Sequence, residues 1–304
     1  MILATTTEDF FHFAATHKER VFHLHEAGFR YIDLSLEHPR ADDPLYGDAY
    51  ISAAKELRTY AESLGMRFVQ CHAPSCNFLT EEDESAPRAK ALITRAIEIC
   101  GILGIPNVVT HAGWQKESLS LDAWTERNRN FYLSLMPIAQ ENGVRVLTEN
   151  SAHANLPNYY LYNGKAMRDF ASAVDHKSFG LCWDTGHANL EGPQYDEILA
   201  LGDALCAIHL HDNRGVHDEH LLPFMGTVNM DEIMHALIDV GYTGAFTFEA
   251  KHSFCFGKVG AKERFSYPVD TRLKNPTLAM QKSLERTLFT IGKEILTAYN
   301  CFER

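Results

Sequence analysis

Six short apolar runs in this chain end in side chains of the kind that hold metal ions: FVQCHAP, NVVTHAG, VRVLTEN, FGLCWDTGH, LCAIHLHDN and GAFTFEA. In order they supply His72, His111, Glu149, Asp184 with His187, His209 and Glu249, and HDEH in the loop after the fifth run adds Asp218 and His220. One such ending can arise by chance. Repetition at the ends of successive strand-like runs calls for a fold that gathers those ends in one place, and each of these side chains offers a nitrogen or oxygen to a divalent cation.

Between the runs lie segments of helical periodicity, the alternation that builds parallel sheets. Strands are predicted at Ile2–Thr5, Tyr31–Leu36, Arg67–Cys71, Asn107–His111, Arg145–Glu149, Phe179–Asp184, Ala204–His209 and Ala245–Glu249. Helices are predicted at Tyr50–Leu64, Pro87–Leu103, Leu121–Glu141 and Asp231–Val240, with Gly28, Gly65, Gly143 and Gly241 as C-caps. Eight βα units in 304 residues predict an α/β fold, a (β/α)8 TIM barrel occupying 1–304 as a single domain. In that fold the loops after the strands share one face. A doubly wound open sheet binds ligands at one switch point and has no use for six strand ends. No G-x-G-x-x-G or Walker A sequence is present, so no nucleotide cofactor is expected.

Composition narrows the partners. Hydrophobic residues at 45% and charged residues at 22% suit a large buried core, and a net charge of -12 repels a phosphate backbone, which makes nucleic acid an unexpected partner. The seven cysteines are odd in number and contain no C-x-x-C pair, so reduced thiols are expected, with Cys71 and Cys182 filling the barrel interior. Glu8 and Asp9 stand where a signal peptide would be uncharged, and no 18-residue apolar run offers a membrane span; a cytoplasmic enzyme is the expectation. After the eighth strand, the segment 251–276 carries six Lys or Arg against two acids, a net +4 in an acidic chain, and a C-terminal helix follows. The segment is read either as a lid whose Lys251, Arg264 or Arg272 meets an anionic group of the substrate, or as a solvated loop or homo-oligomer contact.

Glu149, Asp184, His209 and Glu249 stand on four successive predicted strands. Carboxylates and an imidazole together suit Mn, Mg, Co or Zn. A cation so held would polarise a sugar carbonyl and acidify the neighbouring C–H, and a carboxylate could then take that proton. Its return to the other face, or to the next carbon, epimerises or isomerises the sugar through a metal-bound enediolate.

The motif order VLTEN, CWDTGH, HLHDN and FTFEA resembles that of the xylose isomerase-like TIM barrels, a superfamily of ketose epimerases, sugar phosphate isomerases, inosose dehydratases and endonuclease IV. The resemblance runs from the second strand to Glu249 and is specific for fold more than for reaction. Similarity to the ketose epimerases implies one metal on Glu149, Asp184, His209 and Glu249, the two glutamates doubling as acid and base. It also implies that His187 and, at looser spacing, Arg214 meet substrate oxygens. Similarity to endonuclease IV implies nine ligands for as many as three zinc ions: His72, His111, Glu149, Asp184, His187, His209, Asp218, His220 and Glu249.

The expected activity is therefore that of an isomerase or epimerase of a small sugar or sugar phosphate, using one to three divalent ions. The alternatives are a zinc phosphodiesterase like endonuclease IV and a metal-dependent polyol or ketose dehydratase. LTEEDES and GWQKES, after His72 and His111, lack the basic, wedge-forming character that duplex DNA requires. A noncatalytic scaffold would not need so many converging charged residues. Trp114, Tyr159 and Tyr160 follow strands four and five, where they either stack on a sugar or pack. His211 and Asp212 read as support for His209 or as turn residues, and His217 as a loop residue.

Overall fold

The computed structural model describes residues 1–303 apart from 41, 81–83, 116, 118, 157, 252 and 254–275. Cys255, Arg264, Arg272 and most of the segment 251–276 thus lie outside the described residues.

Eight parallel strands form one sheet: β1 (Ile2–Thr6), β2 (Tyr31–Ser35), β3 (Arg67–His72), β4 (Asn107–His111), β5 (Arg145–Glu149), β6 (Phe179–Asp184), β7 (Leu205–His209) and β8 (Ala245–Phe248). Each strand lies beside its sequence neighbour, and β1 also pairs with β8. The ring closes where Leu210 bridges Phe248, with Leu210 N donating to Thr247 O at 2.8 Å and Glu249 N to Leu210 O at 3.0 Å. This is the expected TIM barrel, with every predicted strand end within one residue of the observed one.

The strands are joined through α1 (His17–Ala27), α2 (Tyr50–Ser63), α3 (Ser85–Leu103), α4 (Leu121–Leu133), α5 (Met136–Glu141), α6 (Gly164–Val174), α7 (Thr185–Asn189), α8 (Tyr195–Leu201) and α9 (Met230–Asp239), and α10 (Leu278–Ala298) ends the fold. The helix predicted over Leu121–Glu141 is two helices. Pro137 has no N–H to continue the first, and it sits in the opening turn of the second, where that N–H is not needed. A capping box of Thr16 and Glu19 starts α1, and Gly28 ends it at φ 112. The Phe289 ring lies 3.0 Å from where a Cβ on Gly28 would sit, so a side chain there would be both strained and crowded.

Strand alternation sets up the site. Val109, Leu147, Cys182 and Ala207 form a small apolar cluster of their own, one residue from each of β4 to β7. Two residues farther along the same strands stand His111, Glu149, Asp184 and His209. Because side chains on one face recur every second residue, the polar four lie on top of an apolar plug. The same rule corrects one expectation. Cys182 does fill the interior, but Cys71, between the alternate positions Gln70 and His72, points out to Cys100 of α3. Among the described residues no helix is long and apolar enough to cross a membrane.

Candidate active site

Glu149 ends β5 with 1% of its surface exposed, and histidines from three other strands converge on it. Its Oε1 lies 2.8 Å from His209 Nδ1, and its Oε2 lies 3.4 Å from His72 Nε2 and 3.5 Å from His111 Nε2. His209 Nδ1 is also 3.7 Å from Glu249 Oε1. Beside this group is a second. Asp184 pairs in register with His209, and its Oδ1 accepts from His187 N at 2.6 Å and lies 3.1 Å from His211 Nε2. Asp218 reaches in from the loop after β7, 3.1 Å from His187 Nε2 and 3.4 Å from His220 Nε2. The nine predicted ligand positions are thus brought together as two adjoining clusters.

Backbone carbonyls fix which imidazole nitrogen faces the carboxylates. A carbonyl can only accept, so Nδ1 of His72 donates to Ala73 O (2.8 Å), that of His187 to Asn150 O (3.0 Å) and that of His220 to Glu249 O (2.8 Å). In each ring Nε2 is left pointing at a carboxylate oxygen. A lone pair opposite an anion is repulsive unless a proton or a cation lies between them, and tying the distal N–H to a carbonyl is the common arrangement around a metal-ligating histidine.

Against the cost of burial, the neighbouring carboxylates push His72 up to about 10 and His220 to about 9 and hold His187 and His209 well above the usual imidazole range, so protons can fill the same role between these rings and the carboxylates. Burial opposes ionisation of Glu149, but the charge of His209 and its hydrogen bond to Oε1 help hold the carboxyl well below the usual carboxylate range. Burial pushes His111 down to about 4, leaving a neutral imidazole at pH 7. Four buried atoms at the heart of the site, Glu149 Oε2, Asp184 Oδ2, His211 Nε2 and Asp218 Oδ1, have no hydrogen-bond partner. Orphaned donor atoms of mixed nitrogen and oxygen character are what a divalent cation would satisfy. The sets His72–His111–Glu149, Asp33–His209–Glu249 and His211–Asp218–His220 each bring their donor atoms within 4.8 Å of one another.

Other predicted contacts are engaged elsewhere. Arg214 donates from N and Nη1 to Glu219, both at 2.9 Å. Lys251 Nζ lies 2.8 Å from Glu8 Oε1 and 3.8 Å from Glu37 Oε2. Trp114 N donates to Asn77 Oδ1 at 3.0 Å, and its ring packs at the edge of the core. Tyr159 is a packed brace, its hydroxyl donating to Glu149 O at 2.7 Å and accepting from Ala112 N at 3.0 Å. Tyr160 donates to Leu119 O. Asp212 is a turn residue, accepting from Asn213 N, Gly226 N and Val228 N, and His217 lies in the loop between β7 and α9.

One residue was missed and another was given a different role. Asp33, fully buried on β2, lies 3.5 Å from His209 Nε2; its signal was a lone acid inside the apolar run YIDLSL. His211 points its ring into the second cluster instead of supporting His209. The H-x-H spacing, which puts both rings on one face of an extended chain, was the clue.

Over residues 21–267 the chain matches the family model described as xylose isomerase-like TIM barrel. It is 30% identical over 184 residues to an uncharacterized protein of Sinorhizobium fredii, covering 57% of this chain and 56% of that protein, so the match spans little more than half of the relative. It is 29% identical over 151 residues to a probable endonuclease 4 of Cenarchaeum symbiosum (45% and 51% covered) and 25% identical over 223 residues to D-psicose 3-epimerase of Ruminiclostridium cellulolyticum (70% and 72%). Among solved structures, D-psicose 3-epimerase with D-tagatose from Clostridium cellulolyticum H10 superposes with a TM-score of 0.79 at 19% identity, covering 97% of this chain and 99% of that one. The IOLI protein with a binding zinc atom gives 0.78 at 15% identity, covering 98% and 99%. At such identities these two structures establish a shared fold.

Proposed function

Because the chain belongs to the xylose isomerase-like TIM barrel family, we propose that it is a metal-dependent isomerase or epimerase of a small sugar or sugar phosphate, working through an enediolate. The observation that carries this reading is the approach of two carboxylates, Glu149 from β5 and Glu249 from just beyond β8, to one imidazole nitrogen of His209, at 2.8 and 3.7 Å.

Glu149, Asp184, His209 and Glu249 would hold the cation, and zinc and manganese both suit their nitrogen and oxygen donors. When bound, a divalent cation supplies Lewis acidity that makes a C–H beside a carbonyl easier to ionise. One glutamate takes the proton from that carbon, and the electron pair of the C–H bond moves toward the carbonyl oxygen to give an enediolate. The other glutamic acid then delivers a proton. Delivery to the opposite face of the same carbon inverts it, and delivery to the neighbouring carbon moves the carbonyl. His187, whose Nδ1 donates to Asn150 O and whose Nε2 lies 3.1 Å from Asp218 Oδ2, is assigned to a substrate oxygen in this reading.

One observation favours a second reading, phosphodiester hydrolysis: Asp218 and His220 reach the site, as similarity to endonuclease IV implies. Against it stand the net charge of -12 and the engagement of Arg214 and Lys251 by glutamates. The deciding experiment incubates metal-loaded protein with a panel of ketoses and ketose phosphates in deuterated water. Solvent deuterium beside the carbonyl is expected for at least one sugar. No exchange on any of them, with cleavage of abasic-site DNA, would transfer the assignment to the hydrolase; exchange with loss of water would make it a dehydratase.

A further inference from the structure

We propose that Gln70 and Thr247 are positioning residues: with Asp33 they hold ordered water in one half of the barrel interior, and through the Asp33 carboxyl group they fix the imidazole of His209 toward the cation. The inference deepens the proposed function and rests on it only in giving His209 a cation to hold.

The two halves of the interior differ. Val109, Leu147, Cys182 and Ala207 make the half under β4 to β7 an apolar plug. On the other half the register sets the inward positions. Gln70 stands two residues before His72 on β3 and pairs with Asp33 of β2, while Thr247 stands two residues before Glu249 and pairs with Ala4 of β1. By the two-residue period these side chains share the face that carries the site. One residue before the bridged pair Leu210 and Phe248 stand His209 and Thr247, and His209 Nε2 lies 3.5 Å from Asp33 Oδ2. The ring that faces Glu149 through Nδ1 thus meets the polar half through Nε2.

Three atoms of this half have no hydrogen-bond partner: Asp33 Oδ1, Gln70 Nε2 and Thr247 Oγ1, on residues 0%, 1% and 0% exposed. Burying polar groups unsatisfied is costly, and a chain that needed only a filled core would carry aliphatic side chains here, as it does under β4 to β7. The three are instead complementary: an amide that donates, a carboxyl oxygen that accepts and a hydroxyl that does either. Buried water typically makes about three hydrogen bonds to such groups. Ala4, beside Thr247, fills its place with only a methyl group and leaves room for one. Water held between Gln70 and Asp33 Oδ1 braces the carboxyl so that Oδ2 stays on His209. Outer partners of this kind orient a ligand imidazole.

The test measures the Zn2+ affinity of chelator-stripped full-length protein by competition with a chelator of known affinity, and the melting temperature of the same samples without metal. Thr247→Val and Gln70→Met keep the side-chain shape and remove the polar atom. Each should weaken Zn2+ binding by about tenfold, the lower end for outer partners of a metal ligand, yet melt no lower than wild type, because a buried unsatisfied group is gone. Thr247→Ser restores the hydroxyl and should keep most of the wild-type affinity. A crystal structure of the zinc-loaded protein should show water within hydrogen-bond distance of Gln70 Nε2 and Asp33 Oδ1. Undiminished affinity in Thr247→Val and Gln70→Met, an equal loss in Thr247→Ser, a loss of affinity matched by lower metal-free stability, or a dry interior overturns the proposal. Deuterium exchange separates it from the proposed function. Exchange with unchanged variant affinities removes the positioning role alone, and weakened affinities with no exchange on any sugar remove the isomerase alone. Wild type that binds no Zn2+ removes both.

Discussion

Nε2 of His209 lies 3.5 Å from Oδ2 of Asp33, while Nδ1 of the same ring lies 2.8 Å from Glu149. Asp33 is fully buried, and both of its oxygens lack a hydrogen-bond partner. A buried carboxylate behind a ligand imidazole fixes the tautomer, drawing the N–H to one side so that the lone pair is presented on the other. Asp33→Leu should therefore weaken metal binding by about ten- to a hundredfold, with Asp33→Asn less affected because its amide oxygen can still accept. Competition with a chelator of known affinity measures this. Equal metal affinity in wild type and Asp33→Leu would reduce Asp33 to a packing residue.

Glu149→Gln and Glu249→Gln test the acid–base pair. Each amide preserves shape and removes a proton acceptor, so turnover should fall by roughly a hundred- to ten-thousandfold. The two should differ in partial reactions. For a given substrate epimer, loss of the base abolishes deuterium exchange, whereas loss of the acid leaves some exchange but no inversion. Following isotope and stereochemistry in parallel by NMR assigns the roles. Identical loss of both signals, with metal content also lost, would make the glutamates ligands alone.

Much of this was legible because local and global signals agree. Strand runs end at charged residues, helices end at glycines, and the two-residue period that makes Val109, Leu147, Cys182 and Ala207 a plug also lifts His111, Glu149, Asp184 and His209 into the mouth. What was not legible depends on contacts between distant segments. The H-x-H spacing hints at the face His211 takes, but its ring is held by contacts with Thr185 and Gly186 that the spacing does not reveal. Lys251 could be placed at the mouth, but its engagement by Glu8 and Glu37 depends on β1 and β2 closing against β8. The break at Pro137 was visible in the sequence, and strong periodicity on either side masked it.

The chain should lose stability as pH rises through neutrality. Asp9, beside β1, and Glu285 of α10 are both buried, each leaves one oxygen without a hydrogen-bond partner, and each perturbs the other's ionisation. Burial pushes Asp9 up to about 7, and burial with the Asp9 charge raises Glu285 well above its ordinary range. Unfolded, both ionise near pH 4. Between about pH 4 and 7 the folded chain thus holds more protons than the unfolded one, and stability declines with rising pH by about 1.4 kcal/mol per pH unit for each extra proton held. Urea midpoints from pH 5 to 8 should show the decline, and Glu285→Gln should flatten it. An unchanged slope in that variant would place the pH dependence elsewhere.

Lys251 is expected to act on the fold before it acts on a substrate. Its ammonium lies between Glu8 and Glu37 with 13% of the side chain exposed, and against the burial penalty those two carboxylates raise its pKa well above the usual lysine value. Glu8 in turn is held well below the carboxylate range, because Lys251 and His38 outweigh its desolvation. Lys251→Met strands two largely buried acids without their closest cation, at a cost of about 3 kcal/mol, the low end for breaking a buried pair by removing one partner. Glu8→Gln added to Lys251→Met should recover a good part of that loss, since it removes the charge left uncompensated. A double-mutant cycle read by urea denaturation checks both terms. If Lys251→Met instead left stability unchanged and raised KM only for phosphorylated sugars, the ammonium would be a substrate contact, and the glutamates would serve to position it.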